Sequence, residues 1–236
     1  MLSKAVTQQA GIVQKDNTEP DQIPENWPDD IIFLREQSYS ANVTSDMRAG
    51  LSRTNNETDT WAKIPPASLK APNPLVAINV VSDLTHPAHN QRGLFAAQDL
   101  DPDSLIAIYT GHVHTNALSD TDPHSDYDLA YDKDLGLSID GAKAGNESRF
   151  ANDYRGIAER ANAEFRDCFV QVQSEKRVGG TKWERRVGIF VLSAGKAGKR
   201  RKGIRAGEEV LINYGKSFWE ARKRVAEFRG DLEMGE

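Results

Sequence analysis

The sequence predicts a mainly β (α+β) domain of several small sheets, and three features carry that expectation. Apolar runs are short and rich in β-branched residues, Gly, Asp and Pro break them at close intervals, and helical periodicity is sparse. There is no internal repeat and no heptad pattern, which sets aside solenoids and coiled coils.

Residues 1–73 differ in texture from the rest of the chain. They are rich in Asn, Thr, Ser, Asp, Glu and Pro without a sustained apolar period, so a largely irregular or disordered extension is expected. Within it, Asp29 is placed to cap a short docking helix from Ile31, with Ile32, Phe33 and Leu34 as its apolar face. The run KIPPASLKAPNP reads as an extended linker, because each proline turns its predecessor away from helix. From residue 74 to 219 a strand-rich domain is expected. Its strands are LVAINVV, GLFAAQDL, SLIAIYTGHV, a run at YDLAYD, EFRDCFVQVQ, RRVGIFVLSA and EVLINYG. The best helical period lies in GKSFWEARKRVAEFRG, where Phe218, Arg222 and Val225 share a face and Gly230 stops the run, so residues 220–236 are expected to form a helical tail.

Composition narrows the function classes. The chain has 236 residues, 38% of them hydrophobic and 28% charged, with a formal net charge of -5. A mildly acidic chain is not held on nucleic acid by bulk charge, so no direct nucleic-acid binding is expected. Cys168 is the single cysteine, which excludes an internal disulfide and a Cys-rich zinc cluster. The five histidines, His86, His89, His112, His114 and His124, lack a convincing carboxylate or thiol partner set, so no metal is expected. No apolar stretch reaches a membrane span, and the N-terminus lacks the apolar core of a secretory signal. The expectation is a soluble intracellular protein of nucleus or cytoplasm.

Three polar stretches hold the residues of chemical interest. In GNESRFANDYRGIAERANAEF, residues 145–165, Asn152 and Asp153 follow an apolar pair and Asn162 precedes the next strand. Taken alone, this is a turn whose Asn side chains tie down local backbone. GIRAGEEVLINYGKSFW, residues 203–219, is a turn feeding a strand that ends at Tyr214 and Gly215. HNQRGLFAAQDLDPDSLIAIYTGHV, residues 89–113, places Gly93 before a strand.

In order and spacing these stretches resemble the SET-domain family of protein-lysine methyltransferases over about residues 75–219. The opening Gly-x-Gly-[Val/Leu]-Phe-Ala element is matched by Gln91 through Ala96, and the Tyr-x-Gly strand by Tyr109, Thr110 and Gly111. Tyr127 matches the aromatic position of the middle element. Arg149-Phe150-Ala151-Asn152-Asp153 and Asn162-Ala163 match the Arg-Phe-x-Asn-His and Pro-Asn-Ala elements, and Gly207-Glu208-Glu209-Val210 with Asn213-Tyr214-Gly215 matches the C-terminal pair. The chain departs from the pattern at Gln91, where the family has Gly, at Asp153, where it has His, and at Ile212, where it has Phe or Tyr.

The resemblance implies a SET fold, several small twisted sheets with a C-terminal pseudoknot. It implies transfer of a methyl group from S-adenosylmethionine to a lysine of a protein substrate, histone or not. It assigns Tyr214 and Tyr127 to catalysis and, with Ile212, to the lysine channel. Arg92, Gly93 and Leu94 would meet the amino-acid end of the cofactor through backbone groups and Asn152 through its amide, with the backbones of Phe150 and Asp153 beside the adenine and methionine portions. Phe218 or Trp219 would stack on the adenine. The aliphatic Ile212 leaves volume for more than one methyl addition. The alternative is a catalytically silent SET domain that serves as a protein-binding module; a β-rich interaction domain of another class ranks third. The acidic stretch SDTDPHSDYD, residues 119–128, reads equally as an attractor of a basic peptide or as a plain solvated loop. The basic run GKAGKRRKG, residues 195–203, is first a solvated loop and second an import signal or acidic-partner contact.

Overall fold

A computed structural model of the protein describes residues 22–53, 60–174, 179–196, 198, 200, 202–216, 218–220 and 222. The described chain is mostly strand, in several small sheets with few helices. Short strands are what the sequence dictates: Gly, Asp and Pro recur before any run grows long.

The strands in chain order are β1 (Ile32–Phe33), β2 (Ser38–Tyr39), β3 (Ala62–Ile64), β4 (Val76–Val80), β5 (Arg92–Ala96), β6 (Leu105–Ile108) and β7 (His112–Thr115). They continue as β8 (Asp128–Asp132), β9 (Leu137–Asp140), β10 (Ala144–Gly145), β11 (Asn152–Asp153), β12 (Ala163–Gln173), β13 (Thr181–Val191) and β14 (Leu211–Ile212). One four-stranded sheet runs β3-β12-β13-β6 and another β2-β7-β9-β8; β1-β10, β4-β5 and β11-β14 are two-stranded. The ribbon of β12 and β13 pairs along its whole length, from Ala163 with Val191 to Gln173 with Thr181. One apolar core joins Val76, Ile78, Leu94, Ile106, Ile189, Ile204 and Ile212; a second joins Val113, Tyr131, Leu137 and Ile139.

Residues 22–53 and 60–73 are largely irregular, as expected, but they carry three short strands and lack the expected docking helix. Ile32–Phe33 is a strand, not a docking helix, and runs parallel to β10. The β-branched pair Ile31-Ile32 is a poor helix start, and the distant strand supplies hydrogen bonds that a local turn would otherwise need. Strand β2 pairs parallel to β7 and β3 parallel to β12. The helix in this region is α1 (Ser45–Gly50), capped by Thr44, whose hydroxyl accepts from the Met47 N–H at 3.3 Å. The run at 104–113 is two strands, β6 and β7, rather than one, and β9 lies in a stretch without a sequence signal. The helical tail expected over 220–236 lies almost wholly outside the described residues.

The break between β6 and β7 has a visible cause. Gln37 accepts from the Gly111 N–H through Oε1 at 2.8 Å and donates to the Tyr109 carbonyl through Nε2 at 2.8 Å. One amide thus satisfies both ends of the Tyr109-Thr110-Gly111 turn. Elsewhere in the same half of the molecule, Glu184 and Arg186 form a buried ion pair at 2.6 Å, and the Tyr39 hydroxyl donates to Glu184 at 2.9 Å. Burial, only partly countered by Arg186, pushes the Tyr39 phenol up to about 12.

Gly111 has no room for a side chain: a Cβ would lie 2.5 Å from the Asp140 carbonyl oxygen. Gly111→Ala must therefore separate β7 from β9, and we expect a loss of about 2 kcal/mol in urea unfolding. An unchanged midpoint and slope would show that this turn tolerates more movement than its packing allows.

Candidate active site

The site is assembled from three distant stretches. Val210 donates to the Leu94 carbonyl at 2.7 Å, and Ala96 donates to the Glu208 carbonyl at 2.9 Å, so residues 207–210 lie along β5. The next two residues, Leu211 and Ile212, pair in parallel with Asn152 and Asp153. Asn162 locks the crossing from the side: its amide donates to the Glu209 carbonyl at 2.7 Å and accepts from the Leu211 N–H at 2.8 Å. Asn162 thereby acts as a piece of strand. Tyr214 lies two residues beyond, so this pairing fixes where its ring goes.

A broad cleft of about 1150 Å³ lies beside the crossing, walled by His86, Arg92, Tyr127, Asn152, Tyr214 and Trp219 among others. A small cavity of about 60 Å³ lies against it, lined by Tyr109, Tyr127, Phe165, Ile212, Tyr214 and Phe218 among others. Tyr127, Tyr214 and Phe218 border both spaces. Large volume with polar groups thus meets a narrow aromatic opening at the two tyrosines.

Tyr214 is held at both ends. Its hydroxyl donates to the Ala151 carbonyl at 3.0 Å, and its N–H donates to Asp153 Oδ2 at 2.7 Å. Burial raises the pKa of its phenol far above the ordinary value, reinforced by Tyr127 and Asp153. The Tyr127 ring lies under the Arg149 guanidinium at 4.3 Å, and its carbonyl accepts from the Tyr109 hydroxyl at 2.7 Å. Ile212 is 2% exposed and faces the small cavity.

Asp153 is occupied through its side chain. Besides Tyr214, it accepts from the Arg155 N–H at 2.9 Å, from Arg155 Nη1 at 2.9 and 3.0 Å, and from Trp219 Nε1 at 3.3 Å. Burial pulls its pKa upward, but the hydrogen bonds from Tyr214 and Arg155 outweigh this and leave it lowered. Trp219 stacks at 6.5 Å and 15° on Tyr214, and Phe218 meets Tyr214 edge-on at 4.8 Å. Both aromatics therefore gather at the cleft.

Arg92, Phe150, Asn152, Asp153, Phe218 and Trp219 line the cleft, as do Tyr127 and Tyr214. Gly93 and Leu94 do not. Leu94 is fully buried and its carbonyl is taken by Val210, while Gly93 gives Asn152 and Glu209 room to approach; a Cβ there would lie 2.7 Å from Glu209 Oε1. Gln91 donates its N–H to the Ala88 carbonyl at 2.9 Å, and the positive φ of this loop falls on Asn90, at 63°. Of the acidic stretch, Asp126 borders both spaces, but Asp120 is turned inward. Asp120 accepts from Ser40 at 2.6 Å and from the Thr115 N–H and hydroxyl at 2.8 Å each. Tyr109 and Phe165, which pair edge-on at 5.7 Å in the small cavity, had a signal in the sequence as parts of the motif runs. Glu209 likewise stood in a motif run, at 207–210, whereas His86 and Arg155 had no signal as site residues. Among the described residues no cluster of His, Cys, Asp and Glu is arranged to hold a metal ion, and no helix is long and apolar enough to cross a membrane.

No family model and no curated protein matches the chain. Among solved structures, it is similar to Chaetomium thermophilum polycomb repressive complex 2. The autoinhibited form bound to S-adenosylmethionine matches at 24% identity and a TM-score of 0.42, over 64% of this chain and 17% of that one. The apo autoinhibited form matches at 23% identity and a TM-score of 0.41, over 64% and 17%. A crystal structure of the complex matches at 23% identity and a TM-score of 0.40, over 60% and 15%. The chain thus spans less than a fifth of the length of each.

The Asp153 network generates a pH prediction. Its folded pKa lies below the unfolded value of about 3.9, so its stabilisation is present above that pH and is lost as pH falls through the folded pKa. Asp153→Asn should lower the melting temperature at pH 7 and flatten its fall below about pH 4. Parallel wild-type and variant melting curves across that range would remove Asp153 from the acid transition.

Proposed function

We propose that the chain is an S-adenosylmethionine-dependent protein-lysine methyltransferase of the SET type. The observation that carries this reading is the meeting of a broad polar cleft and a narrow aromatic cavity at Tyr127 and Tyr214. Methyl transfer needs two ligands that approach from different sides and touch at one atom, and this geometry offers such a point.

The residues present fit the cofactor. The cleft has the volume for it, Asn152 supplies a polar group for the amino-acid end, and Phe218 and Trp219 offer apolar faces for the adenine. When bound, S-adenosylmethionine supplies a sulfonium-activated methyl group. Arg92 and the backbones of Phe150 and Asp153 complete the wall around that site. Gly93 and Leu94 are left as supports of this wall.

The lysine side chain enters through the small cavity, between Tyr109, Phe165, Ile212 and Tyr214. There its neutral amine would take up the methyl group that the cofactor would supply, leaving the cofactor as its thioether and passing the amine proton to water. Aromatic and aliphatic walls favour the neutral amine by excluding solvent. Tyr214 and the Tyr127 region orient its lone pair, and positioning of this kind supplies much of the acceleration. The protonated product is tolerated because aromatic faces attract a cation. Asp126 at the junction suits a basic protein segment as substrate.

A catalytically silent binding module is the second reading. The observation in its favour is the size of the small cavity, about 60 Å³, which is tight for a lysine stem.

Incubation with labelled S-adenosylmethionine and a cell extract separates the two. The proposal expects a labelled protein band that falls roughly a hundredfold in Tyr214→Phe. Binding of the cofactor without any labelled band would favour the silent module. For the wild type, mass spectrometry at saturation should show more than one methyl on the target lysine. Ile212→Tyr, which fills the cavity and adds a hydroxyl, should stop at the first addition. A wild type limited to one methyl would refute the role given to Ile212.

A further inference from the structure

A buried histidine–carboxylate pair, His86 in the cleft wall and Glu209 behind it, lies outside the residues given a role in methyl transfer. His86 lies in the loop between β4 and β5, and Glu209 in the segment that runs along β5. His86 Nε2 and Glu209 Oε2 are 3.0 Å apart, with side-chain exposures of 7% and 10%. The Ala88 N–H donates to His86 Nδ1 at 3.0 Å. Nδ1 therefore carries no hydrogen, and Nε2 is the donor to Glu209. The other carboxylate oxygen, Oε1, faces Asn152 at 2.8 Å.

A carboxylate only accepts, so Asn152 must turn its NH2 group toward Glu209. The Arg92 carbonyl, 3.5 Å from the same nitrogen, is a second acceptor on that side. This choice leaves Asn152 Oδ1, an acceptor, for the cleft that the residue lines. An acceptor there suits an ammonium group and disfavours a carboxylate. Without a partner for Oε2, Glu209 loses its fixed rotamer, and the amide is left with only the distant Arg92 carbonyl to hold its face.

We propose that His86 is a positioning residue that acts through Glu209 to hold Asn152 with its oxygen toward the cleft, and so selects a ligand bearing an ammonium group at that point. The inference rests on the reading of the cleft as an S-adenosylmethionine site and names the feature of that ligand it recognises. Gly93 belongs to the same arrangement, since any larger residue would displace Glu209 or Asn152.

Calorimetric titration with S-adenosylmethionine and with its analogue lacking the α-amino group tests the idea. Wild type is expected to prefer the amino-bearing ligand by about tenfold or more, the worth of one charged hydrogen bond. His86→Leu should bring the ratio near one by weakening S-adenosylmethionine alone. His86→Gln, whose amide can donate to Glu209, should restore most of the preference, which a merely structural role would not require. Should His86→Leu fail to fold, Glu209→Gln carries the test, because its amide lets Asn152 turn either way; there too the ratio should collapse. An undiminished ratio in a folded His86→Leu or Glu209→Gln protein overturns the positioning role and leaves the cofactor site standing. A wild type that binds both ligands equally overturns the role as well, and one that binds neither overturns the cofactor reading with it.

Discussion

The parallel contact of Asn152–Asp153 with Leu211–Ile212 is the constraint on which the site depends. Two residues per strand make a weak sheet, and a pair this short has little stability of its own. It persists because Asn162 adds two hydrogen bonds across the crossing and because Ile212 is sealed in the main core. Tyr214 then lies two positions beyond a fixed point. Its freedom is removed by the Ala151 carbonyl at one end and Asp153 at the other. A ring held this way can present one edge and one oxygen reproducibly, which a positional mechanism demands.

Asp153 shows how a buried carboxylate is accommodated. A carboxylate placed inside a cleft would be costly alone. Here Arg155 supplies the compensating charge and the Tyr214 and Trp219 N–H groups supply further donors. The carboxylate therefore links the chain that carries Tyr214 with the aromatic segment beyond it. Its side chain organises its surroundings, and the same hydrogen bonds hold its pKa low.

The N-terminal stretch has a comparable function in the architecture. Its strands are two or three residues long and each lies parallel to a strand far along the chain. Such strands cannot be read from local periodicity, because two residues establish no alternation. They are nonetheless well placed: Gln37 satisfies the turn that orients Tyr109, and Trp27 packs edge-on against Phe150 at 5.5 Å. The segment is thereby part of the wall behind the site.

The sequence by itself determined the strand-rich class, because β-branched runs cut by Gly and Pro leave no room for long helices. It also singles out Asn152, Tyr127 and Tyr214 as candidates, since they stand in motif runs whose order is legible without coordinates. Tertiary structure alone decided which of them meet. Leu94 sits in such a run yet turns into the core, and its carbonyl is claimed by Val210, more than a hundred positions later. Nothing local pairs His86 with Glu209, and only the packing of two separate loops onto β5 brings them to 3.0 Å. Periodicity and turn chemistry are short-range properties of the chain; hydrogen-bond partners for buried polar groups are found wherever the fold brings them, and that is a long-range one.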